Sequence, residues 1–305
     1  MLFKINEPLS KYTTFKIGGD AKYFFIAKSS DELIKAINEA KKKKLNYIIL
    51  GGGSNILVSD SGFDGLVIIN KNDGIKFQKE KVIAGSGTIL MNLVHKSIEK
   101  GLTGLEWAVG IPGTLGGAVR GNAGAYRGQT SDNVSKVEVL RNDKKIILDK
   151  KDCSFGYRQS IFQNNKDLIL SVELKLKAGD RAESEKKIEK LLEDRKNKQP
   201  LEFPSAGSVF KNVLIDDNVN LNKLRNLPRE YLEYKKIPAA WLIDTLDLKG
   251  KTIGGAQVSS KHANFIINLD KATANDVLQL ISYIKMKVRD KYNIELMEEV
   301  EYIGF

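Results

Sequence analysis

The residues from Gly104 to Gly128 hold eight of the chain's 26 glycines, at Gly104, Gly110, Gly113, Gly116, Gly117, Gly121, Gly124 and Gly128. Glycine loses more backbone entropy on folding than any other residue, so such density is kept where the chain takes positive φ or touches something closely. No period of three runs through it, which excludes a collagen helix. Trp107, Ile111, Leu115, Val119 and Tyr126 interleave the glycines, unlike the polar composition of a flexible linker. Two readings remain: a turn-rich surface loop, or a wall of backbone amides against a flat or anionic ligand, since successive N–H groups in glycine turns form anion-binding concavities. Gly51-Gly52-Gly53-Ser54-Asn55 is a second stretch of this kind, able to hold a pyrophosphate or to serve as an ordinary hairpin turn.

Neither stretch fits the common nucleotide motifs. A dinucleotide-binding G-x-G-x-x-G opens a helix, but after Gly51 and Gly53 the third glycine position is Ile56, and a strand comes next. Gly250-Lys251-Thr252 imitates the end of a phosphate-binding loop, yet the required glycine five positions earlier is Thr245.

The elements that must position these glycines can be read from local pattern. Ala21 to Ala27 reads as an aromatic strand, and Ser29-Ser-Asp-Glu32 opens a helix whose Leu33, Ile34, Ile37 and Ala40 share a face that should pack on a sheet. Tyr47 to Leu50, Ile56 to Val58 and Leu66 to Ile69 are strands, Ile75 to Ala84 is a hairpin, and Ile89 to Lys100 is a helix stopped by Gly101. Val134 to Leu148 is a hairpin about Asn142-Asp143, succeeded by a strand from Leu168 to Leu176. A charged helix from Arg181 to Lys198 and the connector Gln199-Pro-Leu-Glu-Phe-Pro204 mark a boundary. Beyond it come a loop from Ser205 to Asn212, a short helix around Ala239 to Leu246, strands near Thr252 and Phe265, a long helix from Ala274, and a closing strand from Glu295 to Tyr302.

The 305 residues carry a net charge of +11, which draws anions of any kind. Lys41 to Lys44 end a helix, and the basic residues between Lys186 and Lys198 alternate with acids, so no nucleic-acid footprint emerges. One cysteine, Cys153, and two histidines, His95 and His262, exclude an internal disulfide and are too few for a usual zinc site. No apolar run has signal-peptide or membrane-spanning length. The expectation is a cytoplasmic protein with no membrane insertion, no nucleic-acid partner and no metal.

Five strings then carry a resemblance: Gly51-Gly-Gly-Ser-Asn55; Gly110-Ile111-Pro112-Gly113-Thr114-Leu-Gly116-Gly117 with Asn122-Ala123-Gly124-Ala-Tyr126; Phe155-Gly-Tyr-Arg158-Gln-Ser-Ile-Phe162; Ala206-Gly-Ser208-Val-Phe-Lys211-Asn212; and Glu299-Val-Glu-Tyr-Ile-Gly304. In order and spacing, over nearly the whole chain, they resemble the UDP-N-acetylenolpyruvoylglucosamine reductase (MurB) family. The resemblance implies an α+β fold: a two-part PCMH-type FAD-binding domain, of the vanillyl-alcohol-oxidase kind, plus a C-terminal α+β substrate domain. The expected segments are 1–70 and 71–180 for the two FAD-binding subdomains and 181–305 for the substrate domain. The short stretch from Ser160 to Ser205 resembles the subgroup lacking an extra lid subdomain.

By resemblance the chain is a flavin-dependent UDP-N-acetylmuramate dehydrogenase of peptidoglycan precursor synthesis, with NADPH as hydride source and a UDP-sugar as substrate. Gly51 to Asn55, Gly110 to Thr114, Gly116, Gly117 and Asn122 to Gly124 are the expected FAD contacts. The FAD is expected to be non-covalent, because neither histidine nor Cys153 lies in those segments. A monomer is favoured. Arg158 is the expected partner of the substrate carboxylate, a planar fork matching a developing anion. Phe155, Tyr157, Ile161 and Phe162 point to a partly buried setting for it.

Ser208, which alone would read as a turn serine, becomes by resemblance the proton donor to carbon. Glu299 becomes a neutral donor at the enolate, while Tyr126, Arg158, Lys211, Asn212 and Gln257 become substrate contacts. Glu301 stands where the family commonly has a basic residue. Strand alternation puts Glu298 on the face of Leu296 and Val300, where it should be paired or near an exposed end, and leaves Glu299 facing the cleft. A flavin oxidase using O₂ and a nucleic-acid-binding protein are the competing classes.

Overall fold

The computed structural model describes residues 2–216, 219–224 and 226–305. It is an α+β protein whose contacts divide it into two units, Met1–Glu7, Lys22–Gly52 and Asp64–Asn197 in one, and Pro8–Ala21, Gly53–Phe63 and Lys198–Phe305 in the other.

The first unit carries two sheets. One is ordered Lys4–Pro8, Asp20–Ala27, Phe63–Asn70, Tyr47–Leu50, with the last two strands parallel. The helix Ser30–Lys42 covers it. The Glu32 N–H donates to Ser29 Oγ (3.2 Å) and the Glu32 carboxylate accepts from the Lys28 N–H (2.7 Å), a variant of the capping box that starts the helix. Leu33, Ile37 and Ala40 then pack on Ala27, Leu66 and Ile68 as the periodicity requires, while the fourth buried position is Ala36 and not the expected Ile34, which is half-buried at the edge of the face. The second sheet is antiparallel, ordered Lys144–Asp149, Val134–Arg141, Leu168–Lys175, Lys81–Gly85, Ile75–Gln78. Left-handed Asn142 and Asp143 (φ 49° and 61°) turn its hairpin. Leu90, Leu93, Val94 and Ile98 of the helix Leu90–Glu99 join Val137, Val172 and Leu174 in its core.

The second unit is built on an antiparallel sheet ordered Ser205–Ser208, Phe265–Asn268, Ala256–Val258, Thr252–Ile253. The helix Ala274–Tyr292 packs in the same core through Val277, Leu280, Ile281, Ile284 and Val288, beside Ala256, Val258 and Ile266. Thr273 and Asp276 form its capping box, and left-handed Asn293 ends it.

Several elements differ from the sequence reading. The loop expected from Ser205 to Asn212 is a strand over Ser205–Ser208, paired with Phe265–Asn268, because its small residues carry no strand pattern and the partner strand sets the pairing. The closing strand expected from Glu295 to Tyr302 is laddered only over Glu301–Ile303, parallel to Ile56–Val58, after a lone bridge between Glu298 and Phe210. Ile294, Leu296 and Val300 are buried in alternation, but alternation reports an extended backbone, whereas a ladder also needs a partner of matching length. The glycine-rich stretch contains a helix, Leu115–Arg120, capped by the Thr114 hydroxyl, which accepts from the Gly117 N–H at 3.4 Å. Its two glycines oppose helix, but burial of Leu115, Ala118 and Val119 overrides that preference. The strand Lys4–Pro8 has no apolar face to read, its one aliphatic side chain, Ile5, being exposed.

Candidate functional site

In the first unit the loop after the strand Tyr47–Leu50 lies against the glycine wall. A Cβ built on Gly52 would sit 2.6 Å from Gly113 Cα, and Gly113 itself has φ +119°, so both positions need glycine for the backbones to meet. Among the described residues the N–H groups of Gly52 and Gly113 have no protein acceptor. The same wall is held from behind: Leu115 N–H donates to the Thr88 carbonyl and Gly116 N–H to the Ser86 carbonyl, each at 2.8 Å. Thr88 Oγ1 is buried and, among the described residues, unpartnered. A cradle closed to any Cβ, two uncommitted amides and an orphaned hydroxyl are a donor set that fits a pyrophosphate, so these residues fit an FAD.

Asn122, Gly124, Tyr126 and Arg158 are brought together at the next turns of this unit. The buried Asn122 side chain donates to the Gly156 carbonyl (2.8 Å) and accepts from the Ser131 N–H (3.0 Å), and its backbone N–H donates to the Val119 carbonyl (3.2 Å), so it braces this turn from within. Gly156 and Gln159 pair across a tight hairpin, and on it Arg158, with φ +53°, extends Nη2 to the Gly124 carbonyl at 2.8 Å. The guanidinium also lies 5.5 Å from the Tyr157 ring centre, and the residue is half-buried. Tyr126 and Arg127 both have positive φ, a strain that non-glycine residues keep where the surroundings over-determine it. The Tyr126 hydroxyl is held by the helix Arg181–Lys198, its one proton shared between Asp194 Oδ2 (3.0 Å) and the Leu191 carbonyl (3.2 Å). Burial, then Asp194, raises its pKa, so the phenol stays protonated.

In the second unit Ser208 ends the strand Ser205–Ser208, after a register shift and a left-handed Gly207. Asn264 clamps the next two residues: its carbonyl accepts from the Val209 N–H (2.8 Å), and its side chain both donates to and accepts from the Phe210 backbone (2.8 and 3.0 Å). The segment bearing Glu299 pairs with this one, Glu299 N–H donating to the Val209 carbonyl at 2.7 Å and Lys211 N–H to the Met297 carbonyl at 2.8 Å. Ser208 and Glu299 are thus rooted on adjacent backbones. Asn55 closes the group, its Nδ2 donating to the Glu299 carbonyl at 2.9 Å and its own carbonyl accepting from the Glu301 N–H at 3.0 Å.

Asn212 Oδ1 accepts from the Ala239 N–H (3.3 Å), and Gln257, whose Nε2 donates to Thr252 Oγ1 (3.0 Å), lies in the same sheet in register with Ile267 and, beyond it, Ser205. Glu298 forms an ion pair with Lys285 at 2.9 Å, the pairing that its position beside Leu296 and Val300 demanded. Burial and the neighbouring Glu298 push the Tyr302 phenol up to about 12. Burial lowers the pKa of His262, which sits edge-on to Phe265 and accepts from the Asn264 N–H, a structural setting.

Sequence reasoning missed four buried polar residues that line or brace these segments: Thr88, Asn264, Arg195 and Glu106. Arg195 is buried in a helix otherwise rich in charge, with Nε on the Val109 carbonyl (3.1 Å) and its Cδ 2.8 Å from where a Gly110 Cβ would stand. Glu106, 2% exposed, accepts from Thr103, Ser184 and the Gly104 N–H. Only the Gly85-Ser-Gly-Thr88 string offered a signal, as a third short glycine turn.

The fold and the cradle define a flavin-binding α+β protein with a separate C-terminal domain, and the family model described as FAD binding domain matches residues 21–148. The model for the UDP-N-acetylenolpyruvoylglucosamine reductase C-terminal domain matches residues 199–303. UDP-N-acetylenolpyruvoylglucosamine reductases of Caldanaerobacter subterraneus subsp. tengcongensis and Clostridium novyi are each 41% identical, covering 98% and 99% of this chain and 93% and 92% of their own. The crystal structure of UDP-N-acetylenolpyruvylglucosamine reductase (MurB) from Thermus caldophilus superposes with a TM-score of 0.79 at 32% identity, over 99% of this chain and 100% of that one. The chain belongs to the UDP-N-acetylenolpyruvoylglucosamine reductase family.

Proposed function

We propose that this chain is a UDP-N-acetylmuramate dehydrogenase, reducing the enolpyruvyl group of UDP-N-acetylglucosamine enolpyruvate to UDP-N-acetylmuramate for peptidoglycan synthesis, with NADPH as donor and non-covalent FAD. The observation that carries it is relatedness at 41% identity along nearly the entire chain to reductases of that name.

The chemistry divides into hydride delivery to one alkene carbon and a proton to its neighbour. Bound FAD supplies the hydride, which no side chain can. Gly52, Gly113 and the Thr88 hydroxyl hold the pyrophosphate, with Gly51, Gly53 to Asn55, Gly110 to Pro112, Thr114, Gly116, Gly117 and Asn122 to Gly124 shaping the surrounding backbone. Arg158 receives the substrate carboxylate, where negative charge develops during reduction. Ser208 delivers the proton to carbon, and Glu299, protonated, donates to the enolate, since an ionised carboxylate there would repel it. Tyr126, Lys211, Asn212 and Gln257 bind the remaining oxygens of the UDP-sugar. Residues 1–70 and 71–180 are the FAD-binding subdomains and 181–305 the substrate domain. Among the described residues no helix is long and apolar enough to cross a membrane; the enzyme works in the cytoplasm, as a monomer.

The test is NADPH oxidation in the presence and absence of the enolpyruvyl substrate, after acid precipitation has shown free FAD in the supernatant. Substrate-dependent turnover is expected. Oxidation that depends on O₂ and ignores the substrate would make the chain a flavin oxidase instead.

A further inference from the structure

We propose that Asn55 is a positioning residue for Glu299, and that its side-chain amide serves the proton-donating segment rather than the cofactor. The inference rests on the proposed role of Glu299. Asn55 ends the glycine loop Gly51-Gly-Gly-Ser-Asn55, and its position there would ordinarily assign it to the bound pyrophosphate. The geometry points elsewhere. Nδ2 donates to the Glu299 carbonyl at 2.9 Å, and the Asn55 carbonyl accepts from the Glu301 N–H at 3.0 Å. Asn55 therefore grips the two peptide units on the C-terminal side of Glu299, while Val209 grips the N–H before it at 2.7 Å. The Glu299 Cα stands between two fixed peptides.

This clamp replaces what a sheet would otherwise provide. The ladder that could hold the segment begins only at Glu301, and the bridge on the other side stops at Glu298. Glu299 falls between them, paired on one side through its N–H to the Val209 carbonyl but outside the ladder that starts at Glu301, and a donor that must meet a developing charge needs its root held to a fraction of an ångström. Asparagine suits the task because its amide donates to a carbonyl while carrying no charge into a site that will hold an anion. Aspartate is nearly isosteric but has no N–H to give, and its carboxylate would face the Glu299 carbonyl oxygen.

The experiment is a double-mutant cycle on the full-length holoenzyme, using Asn55→Ala, Asn55→Asp and Glu299→Ala, with FAD content, thermal stability and the two half-reactions read separately by stopped flow. Asn55→Ala should retain FAD and reduce with NADPH at the wild-type rate, while reoxidation by the enolpyruvyl substrate slows about tenfold to a hundredfold, the effect of a small displacement of a reacting group. Asn55→Asp should behave alike. In the Glu299→Ala background, Asn55→Ala should change reoxidation by less than about twofold, because residues acting through one another are not additive. Full additivity would overturn the inference, as would loss of FAD in both Asn55 variants, which would return the amide to the cofactor. A Glu299→Ala enzyme that reoxidises normally would instead remove the proposed role of Glu299 itself.

Discussion

Glu299 N–H donates to the carbonyl of Val209, 2.7 Å away, so the expected acid and the serine immediately before Val209 spring from paired backbones. One pairing thus roots both of the proposed proton donors. Asn264 locks residues 209 and 210 in turn.

The two half-reactions separate the role of Ser208. Ser208→Ala should leave reduction by NADPH unchanged and slow reoxidation by substrate about a thousandfold, an added barrier of about 4 kcal/mol. Stopped-flow absorbance of the flavin resolves both rates, and equal slowing of the two would place the defect in the fold rather than in proton delivery.

Adjacent glutamates should respond oppositely. Glu299→Ala should lower kcat at least about a hundredfold, roughly 2.7 kcal/mol of transition-state stabilisation, whereas Glu298→Gln should stay within about tenfold of wild type. Glu298 is held by Lys285 and neighbours the Tyr302 phenol, so its loss should be felt in stability first. Steady-state kinetics at matched flavin content decide between them, and a larger catalytic loss at Glu298 would reverse the assignment.

Gly52→Ala tests the cradle directly. The new methyl would stand 2.6 Å from Gly113 Cα, a backbone atom that cannot swing away. FAD affinity should fall at least about tenfold, or about 1.4 kcal/mol, with the apoprotein still folded. Equilibrium dialysis or flavin fluorescence measures this, and unchanged affinity would take the FAD pyrophosphate away from this loop.

Glu106 should shape the acid limb of stability. Burial works to raise its pKa from the ordinary 4.5, but hydrogen bonds from Thr103, Ser184 and the Gly104 N–H outweigh it and hold the folded value below that figure. A depressed folded pKa contributes stability that is present above the unfolded value and is lost as pH falls through the folded one. Wild-type unfolding free energy should therefore decline below about pH 4.5. Glu106→Gln should flatten that part of the decline and cost about 1–3 kcal/mol near neutrality, since buried donors lose an ionised partner. Denaturant melts across the acid range check both, and parallel acid limbs for the two proteins would remove Glu106 from the account.

What the amino-acid order determined by itself was everything that near neighbours decide. The helix beginning at Ser30 was legible because Ser29 and Glu32 meet its first amides and its apolar residues recur at helical spacing; the Asn142-Asp143 turn was legible because two residues there must take positive φ. The glycine stretches were legible as backbone that must come close to something, and their order carried the family. Their partners were not. That Gly52 meets Gly113, that Arg195 is buried beside Gly110, and that the Asn55 amide reaches a carbonyl 244 residues away were decided only by tertiary packing. The extended run before Glu301 alternates as any strand would, yet it forms no ladder there. Hydrogen bonds across such distances depend on where two segments of backbone arrive, and periodicity within either segment holds no record of the other.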